Sequence, residues 1–197
     1  MQKITTTNNS SKPIAHGAGH HRVTVGGRTI DIVTMHTWPQ KYGFGVSGTS
    51  AQETSASKNE GDAYRKYEVD YVVGKTVNNS SYSSRKYWLM MGDFNSRSRV
   101  DNWYYNYETN STLLDAQDVI INKTSLVDVI AKKYPGDFVS STHGNARIDF
   151  VYASSAMYAN IVNAAVIIDK WTTPVSTGLS NFWNPSDHRP ILIDFSY

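Results

Sequence analysis

The stretch Trp88-Leu89-Met90-Met91-Gly92-Asp93-Phe94-Asn95 constrains this chain more than any other. A short apolar run stops at a glycine and then presents an acid and an amide two residues apart. On a strand the side-chain period is two, so Asp93 and Asn95 would face one way while Phe94 turns back toward the core. A buried strand that delivers a carboxylate and an amide at its end can build a site for a hard cation and a phosphate. The same Gly, Asp and Asn also suit a strand that runs into an Asx turn. The rest of the chain decides which reading has more to support it.

With 197 residues and 40% hydrophobic content, the chain is long enough for one domain with a sizeable core. A net charge of only +2 means that any nucleic-acid contact must come from a local patch and not from a generally basic body. The absence of cysteine excludes disulfides and thiolate chemistry. Richness in Tyr, Trp, Asn, Ser and Thr leans toward an exported protein. Met1 to Pro13 is polar and has no apolar segment of the signal-peptide kind, so an export signal would lie upstream.

Residues 1–21 read as a flexible N-terminal segment, and His16, His20 and His21 of its Gly-rich tract as surface histidines in preference to a metal trap. Arg22 to Val25 and Thr29 to His36 read as a hairpin about Gly26-Gly27, and Thr37-Trp38-Pro39 ends its second strand. That places His36 at the rim of a sheet. Residues 40–60 read as a loop. From Gly61 a helix buries Val69, Val72, Val73 and Val77, with Arg65, Lys66 and Glu68 mostly off that face.

Ser96 to Asn110 is a polar loop rich in aromatic residues. Two short helices are expected over Leu113–Asn122 and Ser125–Tyr134, the second stopped by Pro135-Gly136. Ala146 to Tyr152 alternates as a strand, with Asp149 inside it, where a carboxylate is costly unless paired. Ala164–Asp169 and Pro190–Phe195 are the last strands, and Asn184 to Pro190 is a polar loop feeding the second. Alternating strands and helices predict a mixed-sheet α/β domain over residues 22–197.

Collected, the rim residues are His36, Asp93, Asn95, Asp149 and Ser186-Asp187-His188. A serine-hydrolase triad fits poorly, because Ser186 and His188 share one tight loop and no nucleophile elbow surrounds the serine. Phosphoester hydrolysis fits better, and oxygen-rich ligands without thiolate suit Mg²⁺ or Mn²⁺. Gly-Asp-Phe-Asn (92–95), Arg-Ile-Asp-Phe (147–150) and Ser-Asp-His-Arg-Pro (186–190), in that order, resemble the endonuclease/exonuclease/phosphatase superfamily of DNase I-like enzymes. The resemblance covers residues 22–197.

It implies a four-layer α/β/β/α sandwich of two mixed sheets. It also implies divalent-metal-dependent hydrolysis of a phosphoester by a nuclease, phosphodiesterase or phosphatase. In its terms Asp93 and Asn95 hold the attacking water and a phosphate oxygen, Asp187 joins them as a metal ligand, and His188 binds phosphate or acts as base. Asp149 accepts the other ring N–H of His188, and His36 assists the transition state or the leaving group.

The family's usual metal-binding Glu follows an earlier strand. Here Gln52-Glu53 falls after His36 in a Ser-rich loop and is read as a decoy. The N-terminal strands are therefore expected to be missing. The alternative is an inactive fragment or binding module that keeps the fold without that Glu, and a missing segment or a second copy of the chain becomes a candidate partner. Substrate candidates are nucleic acid, a phospholipid head group or a small phosphoester. Trp103 to Tyr107, beside Arg97 and Arg99, could stack bases, enter a lipid interface or cover the core.

Overall fold

The structure is a computed structural model that describes residues 2–4, 14, 16–39, 55–142, 145–168, 186 and 188–196, with the backbone alone for Gln2 and residues 55–60. Its main sheet begins with β1 (Gln2–Ile4), β2 (Gly17–Val25) and β3 (Arg28–His36). Gly26 and Gly27 both hold positive φ, which gives the β2–β3 turn the twist that a two-residue hairpin needs. Residues 17–21, expected to be flexible, instead extend this hairpin, so that Gly17 lies opposite His36. The histidines obscured the alternation there. His20 is buried because its Nε2 meets Asp31 Oδ1 at 2.7 Å and its ring stacks on Trp88.

Helix α1 (Ser55–Lys75) is the crossover from β3 to β4 (Trp88–Asp93), and these two strands run parallel. The helix starts six residues before the expected Gly61, inside the stretch read as a loop. Then come α2 (Asn102–Tyr105), α3 (Asp115–Lys123), β5 (Val127–Asp128) and α4 (Val129–Lys133). Ser125–Tyr134 is therefore not one helix. Val127 and Asp128 pair with the next strand, and the Asp128 carboxylate caps α4 by accepting the Ala131 N–H at 3.1 Å.

The chain ends with β6 (Asp149–Ala153), α5 (Ser155–Tyr158), β7 (Ile161–Val166) and β8 (Ile191–Phe195). The strand orders are β1-β2-β3-β4-β6-β5 and β7-β8.

Both faces of the main sheet are covered. On one side Met90, Phe150 and Tyr152 pack with Val69, Val72 and Val73 of α1 and with Val119 and Ile120 of α3. On the other, Leu89, Val151 and Ala153 pack with Ala164, Ile161, Ile191 and Ile193 of the β7–β8 pair. Helices, large sheet and small sheet make the α/β/β part of the expected sandwich.

Arg65 and Glu68 do not face away from the core as expected, since they are only 1% and 0% exposed. Arg65 donates to the carbonyls of Trp38 and Pro39 and pairs with Asp62, while Glu68 accepts the Trp38 N–H at 2.7 Å. The helix thus clamps the backbone that leaves β3.

Gly92 ties β4 to β3 most tightly. Its φ is +143°, and a Cβ there would lie 1.8 Å from the Met35 carbonyl oxygen. Gly92→Ala is expected to destabilise the fold by on the order of 4 kcal/mol, since backbone must move on both strands. Gly74→Ala, where a Cβ meets nothing within 4 Å, should stay within about 1 kcal/mol of the parent. Thermal melts of the two variants check the contrast, and equal stabilities would contradict it.

Candidate active site

Register builds the site. His36 is the residue beside Asp93 in the parallel β3–β4 pair, and Asp93 lies opposite Asp149 in the antiparallel β4–β6 pair. Gly17 continues the row beyond His36. Pairing partners in a sheet direct their side chains to the same face, so three polar side chains from distant sequence positions meet at one rim. The backbone seals the ends of these strands, with Thr37 N–H donating to Asp93 O and Phe94 N–H to Ile148 O.

His188 joins from the C-terminal loop. It bridges to Thr142, and Arg189 N–H donates to Ser141 O at 2.7 Å. Its Nδ1 lies 2.8 Å from Asp149 Oδ2, as a ring N–H donating to the carboxylate. This bond leaves Nε2 directed at Asp93 Oδ2, 4.0 Å away. His36 Nε2 approaches the same oxygen at 3.4 Å. Two imidazoles therefore converge on one carboxylate while a second carboxylate orients one of them.

Asn95 is placed differently from the period-two expectation. The strand ends at Asp93, Asn95 takes a left-handed φ of +46°, and its N–H donates to Asp93 Oδ1 at 2.8 Å. Its buried side-chain amide donates to Thr37 O at 3.2 Å. The Asx turn and the rim carboxylate are the same structure: the turn holds Asp93 still. Asp187, expected as a metal ligand, and Gln52-Glu53 lie outside the described residues.

Two residues of this rim escaped the sequence reading. Ser141 donates its hydroxyl proton to Asp149 Oδ2 at 2.8 Å and accepts the N–H groups of Ile148 and Asp149. No signal in the sequence marks that serine. His16 stacks on His36 with ring centroids 4.2 Å apart, and burial first, then His36, lowers its pKa. No sequence signal marked His16 either, because its place beside His36 follows from the Gly17–His36 pairing in a stretch read as flexible.

Asp93, Asp149 and His188 each offer a ligand atom within 4.8 Å of the others. The acids face each other, and Asp93 is held above the usual carboxylate range by burial and then by the Asp149 charge. The Asn95 N–H and the two histidines only partly counter this. Opposed carboxylates short of positive charge are a donor set that fits a hard divalent cation.

No protein-family profile matches the sequence, and no curated protein matches it. Solved structures do resemble it. An AP endonuclease from Archaeoglobus fulgidus superimposes with a TM-score of 0.60 at 16% identity, over 90% of this chain and 65% of that one. The 3′ phosphatase NExo from Neisseria, bound to product DNA hairpin, gives 0.58 at 16% identity, over 90% and 65%. A TDP2 from D. rerio, complexed with single strand DNA product, gives 0.53 at 15% identity, over 92% and 62%. The chain thus spans less than two thirds of the length of each.

The opposed acids carry a stability consequence. Because its pKa is raised on folding, Asp93 holds a proton more tightly in the folded than in the unfolded chain. Its contribution to stability is therefore lost as pH rises from the ordinary carboxylate range toward neutrality. Asp93→Asn, which keeps the Oδ1 acceptor, should raise the metal-free melting temperature at pH 7 by a few degrees. Added Mg²⁺ or Mn²⁺ should stabilise the parent and not the variant. A lower melting point for Asp93→Asn without metal would show that the acids are not in conflict.

Proposed function

Proceeding from the DNase I-like fold, we propose that the rim of the main sheet hydrolyses a phosphoester with the help of a divalent cation. The observation that carries the reading is the ordered pair Asp149–His188, with the imidazole Nε2 turned toward Asp93. Asp93 and Asp149 are the described residues that would hold Mg²⁺ or Mn²⁺, and the family resemblance adds Asp187 and Asn95. Such an ion would neutralise phosphate charge and lower the pKa of a bound water.

The protein's own part follows from the geometry. The 4.0 Å between His188 Nε2 and Asp93 Oδ2 is too long for a direct hydrogen bond and suits a water between them. Asp149 fixes the tautomer in which Nδ1 carries the proton, so that Nε2 is the basic nitrogen. A water held by Asp93 gives its proton to Nε2 as its oxygen bonds to phosphorus. The ester P–O bond breaks, and the leaving oxygen takes a proton from His36 or solvent. Ser141 and the Asn95 N–H hold the two acids in place.

Nucleic acid is the substrate class with most behind it, since the NExo and TDP2 structures above hold DNA product. The catalytic domain is taken to include β1 and all of β2 along with residues 22–197, since both strands belong to the main sheet. A second reading, a module that keeps the fold without a full metal site, is favoured by one fact: the chain spans at most 65% of the three similar structures above.

The test is a panel of duplex DNA, single-stranded DNA, RNA, sphingomyelin and phosphoinositides, assayed with Mg²⁺, Mn²⁺ or chelator. Hydrolysis should need the metal, and His188→Ala and Asp149→Asn should each lower kcat by roughly two orders of magnitude or more. Turnover that survives both substitutions removes the proposed site. No turnover with any substrate, together with no metal-induced stabilisation, favours the module.

A further inference from the structure

The loop that follows Asn95 forms a surface that the proposed chemistry does not use. We propose that it is a stacking platform for an unpaired nucleobase at the end of a nucleic-acid strand, with Trp103 and Tyr104 supplying rings and Arg97 a cation for the adjoining phosphate. The proposal rests on the hydrolase reading and specifies its substrate class.

Four aromatic residues in this stretch divide into two pairs. Tyr105 and Tyr107 are half-buried and stacked on each other, centroids 5.2 Å apart at 13°. Trp103 and Tyr104 are 58% and 46% exposed. Exposed rings are costly to leave in water, and here they are held at fixed angles. Tyr104 lies flat on Phe138, 3.8 Å away at 6°, and Trp103 meets Tyr104 edge to face at 6.1 Å.

The backbone beneath them is just as ordered. Asn106 ends α2 in a left-handed conformation, and the Asn102 side chain bonds both the N–H and the carbonyl of Tyr107. Ser96 is bound to Gln117 of α3, both buried. A surface built this way loses little entropy when a flat ring settles on it.

The platform is joined to the catalytic rim at three points. Arg97 lies two residues after Asn95. Tyr105 Oη accepts the N–H of Arg147, two residues before Asp149. Phe138 enters the segment in which Ser141 binds Asp149.

Arg97 supplies the charge. Its guanidinium lies 5.5 Å from the Tyr105 ring centroid; Nε and Nη1 are buried and, among the described residues, have no hydrogen-bond partner, and the half-buried side chain makes no ion pair there. Arg99, by contrast, is committed to Asp118 at 2.7 Å. Asn106, Glu108, Thr109 and Asn110 of the same loop are exposed, and Val100 is the one exposed aliphatic residue in it. That is a narrow aromatic surface in a polar loop, suited to a base beside a phosphate more than to an acyl-chain boundary.

The test uses the 197-residue chain in chelator, so that binding is read without hydrolysis. Fluorescence anisotropy would follow a labelled 12-nucleotide single strand, a duplex with an unpaired 3′ tail, and a blunt duplex. The single strand and the tailed duplex should bind more tightly than the blunt one. Trp103→Ala and Tyr104→Ala should each weaken them roughly 5- to 100-fold, the scale of one lost base–aromatic stack, while Trp103→Phe keeps most of the affinity. Arg97→Ala should weaken binding and flatten the salt dependence by about 0.7 in log–log slope.

Alanine variants that bind like the parent, no binding by the parent, or equal affinity for the blunt duplex would each overturn the proposal. So would Trp103-dependent sedimentation with phosphatidylcholine–phosphatidylserine vesicles alongside Trp103-independent oligonucleotide binding. Trp103-dependent binding without turnover in metal would leave the platform standing and refute the hydrolase. Turnover without Trp103-dependent binding would do the reverse.

Discussion

Two carboxylates placed directly opposite each other across an antiparallel strand pair set the terms for the whole rim. Like charges at such positions destabilise a sheet, and Asp93 and Asp149 are also partly withdrawn from water. Much of what surrounds them answers that repulsion. Ser141 and His188 donate to Asp149, Asn95 N–H donates to Asp93, and His36 approaches Asp93 from the neighbouring strand. None of these donors cancels the second charge, and the pKa of Asp93 stays raised. A fold selected for stability alone would place a neutral residue at one of the two positions. Keeping both acids makes sense where a cation or a proton is to be exchanged there.

A few signals made the fold and part of the site legible in the sequence. The Gly-Asp-Phe-Asn stretch marked the end of a strand, and an Asp inside the strand near residue 150 demanded a partner. The matching solved structures bear out the DNase I-like fold. What stayed hidden depended on partners far along the chain. The start of β2 looked like loop because His20 occupies a buried position where an apolar residue was expected, and only Asp31 on the next strand makes that tolerable. Arg65 and Glu68 read as lying mostly off the apolar face because charge on a helix usually does. They are buried because the backbone of residues 38–39 leaves the sheet there and needs donors and acceptors.

The break of the expected helix over Ser125–Tyr134 has the same kind of cause. Arg147 is 2% exposed and pairs with Asp101 and Asp128, with its guanidinium 4.6 Å from the Phe150 ring centroid. Burial works against that charge, yet Asp128 and then Asp101 more than offset it and raise the arginine's pKa. Asp128 must therefore lie beside β6, and the chain adopts β5 before it can begin α4. Local helix propensity gives way to a buried charge that has to be paired.

The arginine also explains why the site and the aromatic loop form one construction. Its side chain binds Asp101, which lies immediately before α2, and its backbone N–H is held by the Tyr105 hydroxyl, whose own pKa burial pushes up to about 12. From there the chain runs through Ile148 into Asp149, the first residue of β6, so the loop is tied to the rim carboxylate over two residues of backbone. A phenol kept protonated at all ordinary pH has a proton of its own to place while it accepts from Arg147, and this link does not titrate with the histidines of the rim. The rings at the surface and the acids at the rim are thus tied to each other by a buried ion pair and by a neutral phenol–amide bond.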